Sequence, residues 1–441
     1  RATPASNGTR RIERVRADEW QPILEGETST RAEARVGILL EAIGGWPLPP
    51  DLSLGDGHAG LAVVYAYLSR ARGLGASSAC GHLERAVEGL ASQVMGPGFF
   101  GGFSGIAWAH EHVVAQLGMN DSEDAADDLD GHLLQLLELP KWERDYDLVE
   151  GLVGLGVYAL ERLPHSRAED MLDRIVDHLD RTSESTPEGL TWLTPPRLLP
   201  MSERERHPNG YYNLGVAHGV PGVVALLAAI VAHTRSAPLA GRLLDGAVDW
   251  LWAHRLPEGR PGRFATLLEG KEGEAARLAW CYGDAGIAAA FAAAASALGD
   301  VRLRRMAVSL GLVAAARDPG SSGVVDAGLC HGAAGVGHVF NRLFQSTQEE
   351  AFLAAARAWF GRAIDLQQEG LGIAGYPSWR VGPDGRVGWQ PDPGLLTGTA
   401  GIAAALLAAT SAAVPEWDRF LLVSLRPAGD CKLRAPAVAG E

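Results

Sequence analysis

Seven Gly-x-x-Gly steps divide the chain, and each one opens an apolar, alanine-rich stretch of helical length. Successive steps begin at intervals that range from 45 residues, between Gly57 and Gly102, to 68 residues, between Gly151 and Gly219. Such a period is typical of helical hairpins with loops of varied length, so the 441 residues can form one repeat architecture. The steps occupy residues 57–60, 102–105, 151–154, 219–222, 283–286, 332–335 and 398–401.

The stretches behind the glycines are apolar on nearly all sides, which is typical of helices that are buried all round. More amphipathic stretches, with charges on one face, alternate with them. Because buried helices need an outer layer, we predict an all-α fold, an α/α toroid (barrel) of seven inner and seven outer helices. The predicted inner helices cover residues 61–72, 106–117, 155–163, 223–234, 287–298, 336–344 and 402–413. The predicted outer helices cover residues 32–42, 82–94, 124–137, 168–181, 241–254, 301–316 and 350–367.

The glycines predict where the inner helices begin. We expect them to allow neighbouring loops to approach closely, and to adopt positive φ, at one rim of the ring. The free N–H groups and positive dipole ends of the inner helices would then be directed into the mouth of the barrel. Such a rim favours thiolates and developing oxyanions.

Three irregular segments interrupt the helices, and long loops on a repeat scaffold often form its binding face. They cover about residues 182–212, 255–274 and 376–391. The last contains Pro383-Asp384-Gly385, a turn typical of a β-hairpin. We predict one toroid domain over residues 31–425 with these insertions, a flexible N-terminal arm over 1–30 and a loose C-terminal tail over 426–441.

Charge and composition exclude several classes of function. The net charge of −14 argues against binding to nucleic acid or to an anionic membrane surface. No apolar run reaches the roughly 18–20 residues that a membrane span needs. Four cysteines in 441 residues do not form a disulfide framework, so we expect reduced thiols and a cytoplasmic location.

Two cysteines occupy the same register in consecutive repeats. Cys281 and Cys330 each lie two residues before the first glycine of a step, and His331 follows Cys330 directly. If the repeats are structurally equivalent, two thiols and an imidazole converge, which predicts a metal site with zinc as the expected ion. A closed, purely structural zinc site would need a fourth protein ligand, and no other cysteine occupies this register. We therefore expect an open site with three protein ligands.

His218 directly precedes Gly219, the register that His331 and Tyr282 hold in their own repeats. A lone histidine beside a glycine is most often structural. Equivalent repeats would nevertheless direct His218 into the same mouth as the metal site. His58 lies one residue inside its step and is expected only to start a helix.

Several motifs together resemble the lanthionine synthetase C-like family over roughly residues 32–425. They are Trp280-Cys281-Tyr282-Gly283, Cys330-His331-Gly332, the segment from Ala217 to Gly222, and Glu416-Trp417-Asp418-Arg419-Phe420-Leu421-Leu422 near the C-terminal end. The resemblance implies an α/α toroid with zinc at the mouth of the barrel. It also implies a cyclase that adds peptide cysteine thiols to dehydroalanine or dehydrobutyrine, forming thioether rings.

The resemblance also implies roles for individual residues. His218 would act as acid or base, protonating the enolate after sulfur attack. Asp147, which without the resemblance would be interpreted as a helix cap, would accept a proton or orient His218. Arg277 would stabilise the enolate oxygen or orient Asp147, and Tyr282 would donate a hydrogen bond nearby. Surface arginines and buried tyrosines are often inert, so both also have a purely structural interpretation.

The implied substrate is a dehydrated precursor peptide with leader and core segments. A dehydratase and an exporter are implied partners, and we expect the segments 182–212 and 376–391 to overhang the metal site and contact the peptide. Two other enzymatic functions stay open: a prenyltransferase-like zinc enzyme, which would use a carboxylate ligand, and a glutathione-adding relative. A non-catalytic, zinc-stabilised peptide-binding scaffold is the alternative from a different class.

Overall fold

The computed structural model describes residues 20–47, 51–119, 124, 126–233, 236–270, 273–382 and 386–424. Long helices of two kinds alternate along these residues. The inner helices are α2 (His58–Arg72), α4 (Phe103–Leu117), α6 (Leu152–Glu161), α9 (Val220–His233), α11 (Asp284–Leu298), α13 (Ala333–Thr347) and α15 (Thr399–Thr410). The outer helices are α1 (Gly26–Gly45), α3 (Ala76–Leu90), α5 (Asp127–Leu137), α7 (Ser166–Thr182), α10 (Ala237–Ala253), α12 (Val301–Ala315) and α14 (Glu350–Asp365). A short helix, α8, covers Met201–Arg204.

The inner helices form a closed ring. Each inner helix packs against the next one along the chain, and α15 packs against α2 to close the circle. Outer helices cover them, and α1 packs on α15, so the two ends of the described chain meet. The predicted all-α toroid of seven inner and seven outer helices is therefore confirmed. Among the described residues, no helix is both long and apolar enough to cross a membrane.

The predicted inner helices start three residues too late in every repeat. In the second repeat, for example, the helix begins at Phe103, because Gly102 is its N-cap and Gly105 lies within its first turn. The close approach that we predict for the glycines is present, since a Cβ on Gly105 would overlap the carbonyl oxygen of Phe99. The expected positive φ is not general: among the N-cap glycines of α2, α4, α6, α11, α13 and α15, only Gly283 has one, at +86°.

The loops before the inner helices meet at one end of the ring, which we call the mouth. Backbone hydrogen bonds join them in a circle, and nearly all of these bonds use the residue two positions before the first glycine of a step. The residues at that position are Gly55, Phe100, Val149, Ala217, Cys281, Cys330 and Leu396. In each bond an N–H donates to the carbonyl oxygen of a neighbouring loop. The donor and acceptor residues are, in pairs, Cys281 and Cys330, Cys330 and Leu396, Leu396 and Gly55, Gly55 and Phe100, Phe100 and Val149, and Ala217 and Cys281. Between the third and fourth repeats the donor is instead the preceding residue, Leu148, whose N–H reaches Ala217. The repeats are therefore structurally equivalent at the mouth.

Short strands lie in the irregular segments. Strands β1 (Glu184–Thr186) and β2 (Gly189–Thr191) pair with each other, and β3 (Leu193–Thr194), β4 (Tyr211–Asn213) and β5 (Leu267–Leu268) form a small sheet in the order β3-β4-β5. Strands β6 (Pro377–Val381) and β7 (Val387–Pro391) form the predicted β-hairpin, with Trp379 opposite Trp389. The turn residues 383–385 lie outside the described residues. Single turns of 3-10 helix cover Pro196–Leu198 and Pro319–Ser321, and a longer one covers Glu416–Leu421.

The predicted N-terminal arm is wrong for residues 20–30. Trp20, Ile23 and Leu24 are buried, and α1 already begins at Gly26. These apolar side chains cover the end of α15. The indole N–H of Trp20 donates there to the carbonyl of Ala408. Residues 1–19 and 425–441, which include the rest of the predicted arm and the predicted tail, lie outside the described residues.

A buried ion cluster holds the near-terminal Trp417-Asp418 segment against α13. The carboxylate of Asp418 is fully buried and accepts hydrogen bonds from Arg342 at 2.8 Å and from His338 at 2.6 Å. Burial on its own would raise the pKa of Asp418, but the charges and hydrogen bonds of Arg342 and His338 outweigh it and lower the pKa to about 2. The cluster is therefore an ionised, paired group inside the protein.

We expect the substitution Asp418→Ala to destabilise the protein by about 3–5 kcal/mol, because it leaves the Arg342 charge buried without a partner. Urea unfolding at pH 7 measures this, with Asp249→Ala as the control. Asp249 pairs with Arg302 on the surface, where their side chains are 53% and 61% exposed, so that change should cost only about 0–1 kcal/mol. Since the folded-state pKa of Asp418 is depressed below about 3.9, its contribution is present above that pH and is lost as the pH falls towards 2. Equal losses in both variants would contradict the prediction.

Candidate metal centre and active site

Two thiols and an imidazole converge at the mouth, as the repeat register predicts. The loops of the fifth and sixth repeats are neighbours, and the N–H of Cys281 donates to the carbonyl of Cys330 at 3.2 Å. One ligand atom each from Cys281, Cys330 and His331 lies within 4.8 Å of the others. In the part of the chain that the structure describes, no fourth His, Cys, Asp or Glu joins this group. The arrangement could hold one metal ion and leave a coordination position open.

The two thiols are close enough to affect each other's protonation. A hydrogen bond between them lowers the pKa of Cys281 to about 5, despite its burial, and raises the pKa of Cys330 well above the ordinary thiol value. One thiolate of the pair is therefore formed readily at neutral pH. Thiolates are the form in which cysteine binds metal ions.

Asp326 and the hairpin lie directly behind His331. The imidazole Nε2 is 3.1 Å from the carbonyl oxygen of Trp379 and 3.4 Å from Oδ2 of Asp326. Burial lowers the pKa of His331, but Asp326 and Cys281 outweigh this effect and raise it to about 10. With Nε2 occupied by acceptors, Nδ1 is the nitrogen left for a metal ion.

His218 and Asp147 form a close pair beside the thiols. The N–H of Ala217 donates to the carbonyl of Cys281 at 3.4 Å, so the loop that carries His218 adjoins the loop of the fifth repeat. Nδ1 of His218 lies 2.6 Å from Oδ2 of Asp147, and the His218 side chain is 44% exposed at the mouth. Burial lowers the pKa of His218, but the hydrogen bond and charge of Asp147 prevail and raise it. His218 is thus held in place and accessible at the same time.

Asp147 also caps its own loop, since its Oδ1 accepts the N–H of Glu150 at 2.8 Å. The carboxylate therefore has a loop-shaping contact as well as a contact with His218, and its role in proton transfer stays a prediction. One oxygen shapes the loop before α6, and the other contacts His218.

Tyr282 and Arg277 flank the site in different ways. The ring of Tyr282 stacks against His218, with centroids 6.4 Å apart, and its hydroxyl accepts a hydrogen bond from Asn213 at 3.1 Å. The hydrogen bond between the two thiols has the larger effect, lowering the pKa of Cys281 and raising that of Cys330, and the charge of the exposed Arg277 adds a smaller effect that lowers both pKa values. The side chain of Asp147 pairs with His218 and the Glu150 amide, so among the described residues its contacts do not include the expected one with Arg277.

Sequence reasoning missed Asp326, Trp379 and Asn213, although a signal for two of them is present. The residue six positions before the first glycine is Asp or Asn in five repeats: Asp51, Asp145, Asn213, Asp326 and Asp392. In four of these its side-chain oxygen accepts the N–H of the residue two further on, at 2.7–3.2 Å. Trp379 has no such signal, since it contributes through its main chain.

A closed toroid of helical hairpins, with a two-cysteine, one-histidine group at its mouth, defines the class of this protein. The chain belongs to the lanthionine synthetase C-like family, whose sequence model matches residues 49–422. The nisin biosynthesis protein NisC of Lactococcus lactis subsp. lactis is 28% identical over 156 residues. That match covers 32% of this chain and 36%, about a third, of NisC.

A solved structure of a nisin cyclase has the same fold. It matches with a TM-score of 0.68 over 90% of this chain and 98% of that chain, at 18% sequence identity.

Proposed function

We propose that this protein is a zinc-dependent lanthipeptide cyclase. It adds cysteine thiols of a dehydrated peptide to dehydroalanine or dehydrobutyrine and thereby forms lanthionine or methyllanthionine rings. The convergence of Cys281, Cys330 and His331 beside the His218–Asp147 pair carries this proposal. Membership of the family, and likeness to proteins named for nisin biosynthesis and nisin cyclisation, support it.

The donor set fits zinc, because thiolate sulfur and imidazole nitrogen are the ligands this ion prefers. Asp326 and the Trp379 carbonyl add the outer contacts that zinc-bound histidines usually make. When bound, zinc would supply a Lewis acid that lowers the pKa of a substrate thiol from its usual value of about 8.5.

His218 supplies the proton that completes the addition. As the peptide sulfur bonds to the β-carbon of the dehydro residue, the alkene electrons move to the carbonyl and form an enolate. The enolate Cα then takes a proton from His218, and the proton released from the thiol through solvent restores the imidazolium, so that no atom is gained or lost overall. Asp147 holds Nδ1 and stabilises the imidazolium, so Nε2 is the nitrogen that donates. The raised pKa favours the protonated form of His218, which is the form that an acid requires.

Arg277 and Tyr282 would act on the charge that develops during the addition. A cation and a phenol next to the thiols can stabilise an enolate oxygen, and both side chains flank the site. A dehydratase must act before this step, because the alkene has to exist already. A stable complex with that dehydratase or with an exporter stays a prediction, as does the cytoplasmic location.

Counting thiols tests the proposal. The zinc-loaded protein is incubated with a dehydrated, cysteine-containing peptide, and the remaining thiols are alkylated and counted by mass spectrometry. We expect thiols to disappear with no change in peptide mass. With glutathione present, a gain of one glutathione mass would instead indicate a glutathione-adding enzyme. Peptide binding without any loss of thiols would indicate a scaffold.

The hairpin β6–β7 and the segment 182–212 are expected to contact the peptide. The hairpin reaches the site through Trp379, and the exposed Trp389 packs on Trp379 with ring centroids 5.1 Å apart. A photoreactive precursor should therefore crosslink to these two segments. The protein carries a net charge of −14, so binding should weaken as salt rises if basic groups on the peptide assist encounter. Labels found only on outer helices such as α10 would overturn this prediction.

A further inference from the structure

We propose that Asp326 is a positioning residue that fixes His331 for the metal and ties the hairpin to the same point. The inference rests on the proposed function, because it assumes that His331 is a metal ligand. It assigns a role to a residue that is not itself a ligand, and it joins the metal site to the segment expected to contact the peptide.

The two oxygens of Asp326 make different contacts. The residue is only 3% exposed. Its Oδ1 accepts the N–H of Gly328 at 3.2 Å, within its own loop. Its Oδ2 accepts the N–H of Trp379 at 3.0 Å and lies 3.4 Å from Nε2 of His331. One buried carboxylate thus shapes the loop, holds the hairpin and faces the imidazole.

The residues equivalent to Asp326 in other repeats show which of its contacts is common to the loops and which is particular to the sixth repeat. Asp51, Asn213 and Asp392 make the same turn contact with the residue two further on, so the turn is a common property of the loops. Asn213 makes it at 2.9 Å, which means that the turn does not need a carboxylate. The second oxygen of Asp392 faces Arg380 and Thr397. In the sixth repeat, the second oxygen faces a candidate metal ligand.

An acceptor at Nε2 has a chemical consequence for a histidine ligand. The Nε2–H is directed at the Trp379 carbonyl and the Asp326 carboxylate, which selects the tautomer whose Nδ1 lone pair is free. A negative charge behind the ring also makes the ligand more basic. Loss of such an outer contact typically weakens metal binding by about 10- to 100-fold.

The substitution Asp326→Asn tests this role. It keeps the turn acceptor, as Asn213 does, but replaces the oxygen behind His331 by an amide nitrogen. We expect zinc affinity, measured by competition with a chromophoric chelator, to fall about 10- to 100-fold while saturating zinc still binds one ion per chain. The visible spectrum of the cobalt-substituted protein should change, while the metal-free variant should still fold, with its unfolding midpoint lowered only as far as loss of the Trp379 hydrogen bond requires.

Asp51→Asn is the matched control, since it makes the same replacement in the equivalent turn of the first repeat and should leave zinc affinity and the cobalt spectrum unchanged. If the Asn variant of Asp326 does not fold, Asp326→Ser, which can keep the turn but cannot reach the ring, carries the same expectation. Unchanged affinity and spectrum in folded variants would overturn the inference. Complete loss of zinc at saturation would overturn it too, in favour of Asp326 as a direct ligand. A wild-type protein that binds no zinc would instead refute the metal centre of the proposed function.

Discussion

Cys330→Ala is expected to abolish zinc binding at micromolar metal and to reduce thioether formation to the unaided rate. The change removes one of three protein ligands, and the remaining thiol and imidazole cannot hold zinc in an open, three-ligand site. The backbone bonds between Cys281, Cys330 and Leu396 do not involve the sulfur, so the circle of loops should persist. Stability should change little, because the helical core does not depend on the metal.

Cys80→Ala is the control for this variant. Cys80 is a half-buried free thiol on α3 whose sulfur lies 3.9 Å from that of Met119, away from the mouth. Metal analysis of the purified proteins and thiol counting on the peptide measure both effects. Full zinc content in Cys330→Ala would refute its assignment as a ligand.

His218→Ala is expected to retain zinc and peptide binding but to form rings about 10²- to 10⁴-fold more slowly, which is the usual contribution of one acid–base group. His218 is paired with Asp147 at 2.6 Å and does not belong to the group of metal-ligand candidates. The variant therefore separates proton transfer from metal binding. Single-turnover thiol counting at saturating zinc gives the rate.

His58→Ala serves as the comparison, because His58 also lies at the start of an inner helix. Its Nδ1 contacts His82 at 2.8 Å, between α2 and α3, and it is expected only to support the helix packing. We expect the ring-forming rate of this variant to stay close to that of the wild type. An unchanged rate in His218→Ala would leave solvent as the proton source.

The repeat register predicts the fold and the core of the candidate site for one physical reason. Equivalent loops form the same hydrogen bonds to their neighbours, so residues in the same register meet in space. This brings Cys281 beside Cys330. His218 and Asp147 are not in the same register, but their loops are neighbours in the circle and their side chains meet. The period says nothing about the insertions between repeats. The contact of Trp379 with His331 therefore could not be predicted from the glycine pattern.

Contacts between distant parts of the chain explain the other differences. Residues 20–30 look polar and irregular by sequence, but three apolar side chains pack on α15 once the ring closes. Arg277 has the spacing that the family resemblance implies, yet spacing does not reveal which partner a long side chain meets. The turn residues such as Asp326 repeat in the sequence, but only the structure shows that one of them faces His331.

The most direct test of the account is amino-acid analysis of the peptide product for lanthionine. A dehydrated precursor is incubated with the zinc-loaded protein, hydrolysed in acid and compared with the same peptide treated with the Cys330→Ala variant. We predict one lanthionine or methyllanthionine for each thiol lost, and only the spontaneous background with the variant. Lanthionine at background level, produced by a folded protein that carries one zinc ion per chain, would contradict the assignment as a cyclase.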